Sequence, residues 1–301
     1  MKAPKDQQTN PLPSYGGQAI IEGVMMRGTH VVAMAMRAPN KEIIVQTEKL
    51  SSIYRSRITK IPFLRGLVIL WDVLNLGFRA LTLSANLQGE EEDKIEGPAM
   101  YLTFIFSLLL AIGLFFLIPA AIAHATEWWL GWNAYWGNLV EGLMRLLLLI
   151  GYIWAIGRIP DIQRVFAYHG AEHKTINAFE AGEELHPQNV TNYPVEHPRC
   201  GTAFLLALVL LSVVVFSILG PLSWEWRLLS RLLMIPIIAG IAYEYIRWTA
   251  NHLNSPLVGL LIRPNLALQR LTTREPSLDM LEVSIAAFNA MREEEAKQTV
   301  L

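Results

Sequence analysis

The stretch "MYLTFIFSLLLAIGLFFLIPAAIA", Met100 to Ala123, runs for 24 residues without a charged side chain. A helix needs about 20 consecutive apolar residues to cross the hydrocarbon of a bilayer. The stretch therefore predicts a transmembrane helix, and it sets the class of the whole chain. Composition agrees: 52% of residues are hydrophobic, 17% are charged and the mean hydropathy is +0.32, against about 25% charged in an ordinary soluble domain. The lipid bilayer is the expected partner. A net charge of −1 over 301 residues supplies no basic field, so nucleic acid is not expected as one.

Outward from that stretch, Thr202 to Leu222 is equally free of charge. Two further apolar segments carry ionisable groups: Leu139 to Gly157 has Glu141 and Arg145, and Leu228 to Trp248 has Arg231, Glu244 and Arg247. Each pair of opposite charges three or four residues apart reads first as compensation along one helix. Four transmembrane helices are expected. Phe63 to Leu87 is also long enough to span, but Arg65, Asp72, Asn75 and Arg79 fall near one helical face. That pattern predicts an amphipathic helix at the interface or against a partner.

Charge in the loops predicts orientation. His124 to Gly137 has no Lys or Arg and holds Trp128, Trp129, Trp132, Tyr135 and Trp136, whereas the first hundred residues hold twelve Lys and Arg. Positive charge marks the cytosolic side and aromatic rings mark the interface. Both termini and the loop Arg158–Gly201 are thus expected in the cytosol. The opening "MKAPKDQQTNPLPSYGG" lacks the apolar core of a signal peptide. The one cysteine, Cys200, excludes an internal disulfide and fits a reducing compartment.

The resulting division is a strand-rich cytosolic region over 1–60, an amphipathic helix and acidic linker over 61–99, a first transmembrane pair over 100–157, a cytosolic His/Cys loop over 158–201, a second pair over 202–250 and a cytosolic helical tail over 251–301. In the first region "VVAMAMR" and "EIIVQTE" read as strands around a Pro39–Asn40 turn, and "AIIEGVMMRG" as a third. About three strands make a sheet too small to stand alone, so it should lean on helices. Glu22 and Arg27 lie in this glycine-punctuated run, which by pattern is a turn-rich strand rather than a close backbone approach. In the tail, Leu278, Leu281, Ile285, Phe288 and Met291 follow helical spacing after a cap-like Thr272–Thr273. That helix is expected to pack on the cytosolic face against the small sheet, or else to dock a partner.

The chemistry concentrates in "YHGAEHKTINAFEAG", Tyr168 to Gly182. Asp161 can cap a helix that Gly182 ends. On it His169, Glu172, His173, Ile176 and Glu180 share one face. Two imidazoles four apart can reach one metal ion, and a glutamate between them can take a proton from water. The string H-x-x-E-H also occurs in inverted zincins. A proline-rich loop then ends in "HPRC", where His197 and Cys200 add two donors. His169, His173, His197 and Cys200 would suit zinc as a structural site, whereas two histidines with Glu244 as third ligand and Glu172 as base would be catalytic. Against both stands the plain reading, a solvated helix face and a small buried cysteine.

Four motifs, "GGQAIIEGVMMRG" (Gly16–Gly28), "YHGAEHKTINAFE" (Tyr168–Glu180), "HPRCGTAFL" (His197–Leu205) and "LQRLTTREP" (Leu268–Pro276), together resemble the YqhQ family of bacterial membrane proteins, described as predicted metal-dependent enzymes. The likeness extends from Gly16 to about Ala290. It implies a bacterial inner-membrane protein, singles out the His169/Glu172/His173 and His197/Cys200 clusters, and draws attention to Glu22, Met25, Met26 and Arg27. The expected function is zinc-assisted hydrolysis of a lipid-linked or membrane-protein substrate. The alternatives are a transporter or channel built on Glu141, Arg145 and Glu244, with Pro119 and Pro236 inside the spans, and a membrane scaffold.

Overall fold

The run "VVAMAMR" has apolar side chains on both faces, as a strand buried from two sides requires. In the computed structural model, which describes residues 15–50, 61–89 and 97–299, it forms β3 (Val31–Arg37), the most buried strand of an antiparallel sheet. The other strands are β1 (Gly16–Ile20), β2 (Gly23–Arg27) and β4 (Ile43–Lys49), in the spatial order β1-β2-β3-β4. The sheet thus has four strands where three were expected. "AIIEGVMMRG" folds back on itself: Ile20 pairs with Gly23 across a two-residue turn, and Glu22 adopts φ 51° there. A non-glycine residue in the left-handed region is uncommon and needs outside support.

Helices cover both faces of this sheet. On one side α5 (Pro160–Glu180) and α10 (Leu278–Thr299) bury Ala171, Ile176, Leu281 and Phe288 against Val24, Met26, Ala33 and Ala35. On the other, α1 (Leu64–Gln88) sets Leu76 and Ala80 against Ile20, Met25, Val32, Met34 and Met36. The expected lean on helices is met twice. Leu281, Ile285, Phe288 and Met291 of α10 are buried as their spacing predicts, whereas Leu278 stays exposed.

Five helices among the described residues are long and apolar enough to cross a membrane: α1, Pro98–Leu130, Ala134–Ile156, Thr202–Leu219 and Trp224–Asn251. The second consists of α2 (Pro98–Ile112), a π-helical turn and α3 (Ile118–Leu130); α4 (Ala134–Ile156), α7 (Thr202–Leu219) and α8 (Trp224–Asn251) follow, with the short α6 (Pro187–Val190) between α5 and α7. The protein is a mostly α-helical membrane protein. α1 is the amphipathic member: half its length forms a layer of the sheet domain, where Ser84 Oγ accepts from the Ile21 amide at 3.1 Å and Gln88 donates to the Arg37 carbonyl at 2.8 Å. The acidic linker expected after it lies mostly outside the described residues. A further helix, α9 (Pro256–Thr272), was not foreseen in the tail. Thr272 and Thr273, expected to cap α10, end α9 instead, and both hydroxyls donate to the Gln269 carbonyl.

The bundle holds a desolvated charge cluster. Arg145 donates to Glu141 Oε1 at 2.7 Å and to Ser212 Oγ at 2.6 Å, and Arg231 donates to both Glu141 oxygens at 2.9 and 2.6 Å. The Phe216 ring lies 5.2 Å from one guanidinium and 4.2 Å from the other. Proline has no N–H, so Pro119 cannot bond the carbonyl four residues before it; Arg145 Nε donates to that carbonyl, Phe115 O, at 2.8 Å. Compensation along one helix was the expectation for Glu141 and Arg145. The structure extends it across α4, α7 and α8. Glu141→Gln leaves two buried guanidiniums without their carboxylate and should destabilise the bundle by about 3–5 kcal/mol, read as a lower unfolding midpoint in detergent.

Candidate metal centre

Pro160 occupies the first turn of α5, where its missing N–H costs nothing, and Ile159 rather than Asp161 is the N-cap. Gly182, at φ 77°, ends the helix as expected, with its amide on Phe179 O and that of Glu183 on Ala178 O. Within the helix, residues four apart differ by about 40° around the axis. His169 and His173 therefore lie side by side on one face, ring centroids 4.4 Å apart and ring planes tilted by 60°. Cys200, one residue before Gly201 and α7, brings its Sγ to 3.3 Å from His169 Nε2. One donor atom from each of His169, His173 and Cys200 lies within 4.8 Å of the other two. Zinc bonds of about 2.0–2.3 Å in a tetrahedron set donors about 3.3–3.8 Å apart, so a small contraction suffices.

Ring orientation fits the same use. His169 Nδ1 faces the Thr272 carbonyl at 2.9 Å, and His173 Nδ1 faces the Val195 carbonyl. A nitrogen facing a carbonyl carries the proton, which leaves the lone pair on Nε2 of each ring. Carbonyl partners of this kind are what hold metal-binding imidazoles in place. His173 Nε2 is buried and has no hydrogen bond among the described residues. Burial pushes the His173 pKa down and the nearby Cys200 offsets only part of that, which favours the neutral ring that a metal requires.

Glu172 sits between sheet and histidines. Its Oε2 lies 3.9 Å from His169 Nε2 and 4.0 Å from His173 Nε2, too far for a direct bond and close enough to share a water. Burial pushes its carboxyl up, against the pull of His169, His197 and the Gly17 amide. Gly17 is required here: a Cβ at that position would come 2.9 Å from Glu172 Cγ and 2.5 Å from Met25 O. The glycine run is thus a close backbone approach, contrary to the plainer strand reading, and what approaches is the chain's own glutamate. The sequence holds a trace of it in paired Gly16–Gly17, but the partner is 155 residues away.

The other candidates are placed differently. His197 is adjacent, its ring 5.8 Å from that of His173, but it stands outside the three-donor group. Its backbone is clamped by Gln269, which accepts from the His197 amide at 2.9 Å and donates to its carbonyl at 3.0 Å. Its Nε2 is 3.6 Å from Glu180 Oε2, and Glu180 is also paired with Arg199. Glu244 also stands outside the three-donor group. Both its oxygens accept from Arg65 on α1, and it also takes the Phe63 amide; two donors on a neighbouring helix hold it in the α1–α8 seam. Glu22 is taken by Arg164, with Tyr168 Oη donating to it at 3.2 Å. Arg27 ends β2, opposite Val32 of β3. Lys174 escaped the sequence reading: buried, it pairs with Glu275 at 2.9 Å, donates to the carbonyls of Thr191 and Tyr193 at 2.8 and 2.7 Å and so pins the loop that delivers Cys200.

Gly17→Ala should cost about 1–3 kcal/mol through overpacking, whereas Gly16→Ala, whose Cβ meets open space, should cost less than about 0.5 kcal/mol; paired thermal melts measure both. The Arg164 guanidinium, above all through its hydrogen bonds, holds the Glu22 carboxyl below the usual range. Such a group stabilises the fold above its unfolded pKa, and the contribution disappears as pH falls through the lower folded value. Because the pair is partly exposed, Glu22→Gln should cost only about 1 kcal/mol at pH 7, and melts repeated towards pH 3 should find the gap closing.

Comparison with known proteins places the chain. A family model described as a protein of unknown function, DUF1385, matches residues 61–294, a span that holds all three donors and Glu172. The chain is 35% identical over 300 residues to the "Uncharacterized protein YqhQ" of Bacillus subtilis (strain 168), with 94% of each covered. No solved structure matches. The chain belongs to the DUF1385 family, with YqhQ as a relative over nearly its full length.

Proposed function

We propose that this protein is a bacterial inner-membrane enzyme with a zinc centre at the cytosolic boundary of its bundle, hydrolysing a lipid-linked or membrane-protein substrate. The observation that carries the reading is the convergence of His169, His173 and Cys200 with both imidazoles already oriented by backbone carbonyls. Zinc held by these donors would supply Lewis-acid polarisation of a substrate oxygen and acidify a water. Glu172, desolvated and with its carboxyl pushed up, is the group to accept that proton and pass it to the leaving group. Three protein donors leave a fourth position for water or substrate, the pattern of catalytic rather than closed structural sites. His169 is the more open donor, its side chain 14% exposed against 1% for His173. Loop charge supports cytosolic termini.

The transport reading draws less support. Glu141, Arg145 and Arg231 are closed on one another and on Ser212, and Glu244 is closed on Arg65; groups so satisfied brace a bundle rather than line a path.

Purified wild-type protein should carry about one zinc per chain, the stoichiometry of a single tetrahedral site. His169→Ala/His173→Ala should carry none, while Glu172→Gln should keep the metal. In cobalt-loaded protein, the thiolate-to-metal absorption should vanish in Cys200→Ser. Equal metal content in wild type and the double-alanine variant, measured by atomic emission, would sink the reading.

A further inference from the structure

A second built feature adjoins the metal centre. Arg158, Arg270 and Arg274 line one cleft of about 540 Å³ with Trp154, Gln163 and Thr273, and no carboxylate lines it. Arg158 lies 4.4 Å over the Trp154 ring and has no carboxylate partner among the described residues. Arg274 Nη2 donates to the Gly157 carbonyl at 2.8 Å, closing the end of α4. Arg270 donates to Glu196 Oε1 at 3.0 Å through a side chain that is 76% exposed. Three guanidiniums thus meet one carboxylate. Their planar forks match phosphate oxygens, and a basic pocket between helices at the end of a span is suited to an anionic headgroup.

Two observations choose a lipid as the source of that phosphate. The cleft stands at the end of α4, whose outer side leaves Leu147, Ile150 and Trp154 exposed, and beside α9, which exposes Leu257 and Leu260. Acyl chains have apolar surface to follow away from the cleft. Its wall is also a wall of the metal centre: Thr273 lines the cleft, and the carbonyl of Thr272 orients His169. The Arg274 amide donates to Phe166 O on α5, and a Cβ at Gly170 would come 2.1 Å from Arg274 O. The segment 272–274 is therefore packed onto the helix that carries both histidines.

We propose that this cleft binds the phosphate of a membrane lipid with a net anionic headgroup beside the metal centre. As a statement of substrate class it rests on the zinc-hydrolase reading; as a binding site it does not.

The test follows the unfolding midpoint of the detergent-purified protein with added phosphatidylglycerol, phosphatidylcholine of the same chains, or inorganic phosphate. Phosphatidylglycerol should raise the midpoint saturably, and the other two should do so far less. Arg158→Gln/Arg270→Gln spares Arg274, which closes α4, and should weaken the phosphatidylglycerol effect at least about tenfold. Arg158→Lys/Arg270→Lys, which keeps the charge, should bind more tightly than the glutamine pair. His169→Ala/His173→Ala should bind the lipid like wild type. Phosphatidylglycerol binding that is unchanged in the glutamine pair, or matched by phosphatidylcholine, overturns the proposal. Equal stabilisation by inorganic phosphate overturns the choice of a lipid. Wild-type protein that binds lipid but no zinc overturns the hydrolase reading alone.

Discussion

The architecture depends on α5 being desolvated while carrying polar groups. Glu172, His173, Lys174 and Thr175 are consecutive, and all are buried. A buried polar group costs free energy unless it is paired. Each of these four sets a demand on a different neighbour. Glu172 draws in Gly17 of the first strand, His173 the Val195 carbonyl, Lys174 the carbonyls of Thr191 and Tyr193, and Thr175 the hydroxyl of Ser284 on α10. Sheet, loop and C-terminal helix are thereby tied to one helix, and the donor set assembles where they meet.

The apolar bundle answers the same demand with different means. Far from water, Glu141 serves two arginines, and Phe116 and Phe216 stack on the guanidiniums. The broken hydrogen-bond ladder at Pro119 becomes an asset, because Phe115 O is then an acceptor for Arg145. A proline and a charge that each look unfavourable in a membrane helix satisfy one another. This contact ties α4 to the π-helical turn ahead of α3.

Much of this was legible in the chain. Apolar run length announced the spans, because it is set by bilayer thickness alone. The interval of four placed His169 beside His173, because helix geometry is local. The amphipathic character of α1 and the buried face of α10 followed from periodicity. Some short patterns have two outcomes. "AIIEGVMMRG" is continuous in strand propensity, yet it turns at Ile21–Glu22, held there by Arg164 and Tyr168 from α5. Glu244 looked like a ligand because it is an ionisable group inside a span; whether Arg65 or a metal takes it is decided by which helix lies alongside.

The sequence by itself determined that this is a membrane protein with an α-helical bundle, a small sheet, and a helix bearing two histidines and a glutamate on one face. These are consequences of composition and of periods of two and 3.6, which act over a few residues. Only the tertiary structure decided that Cys200 joins His169 and His173 while His197 stands aside, that Gly17 exists to admit Glu172, and that three arginines from two helix ends share a cleft next to them. Those outcomes depend on contacts between segments far apart in the chain, where burial, not local spacing, sets the partner of each polar group.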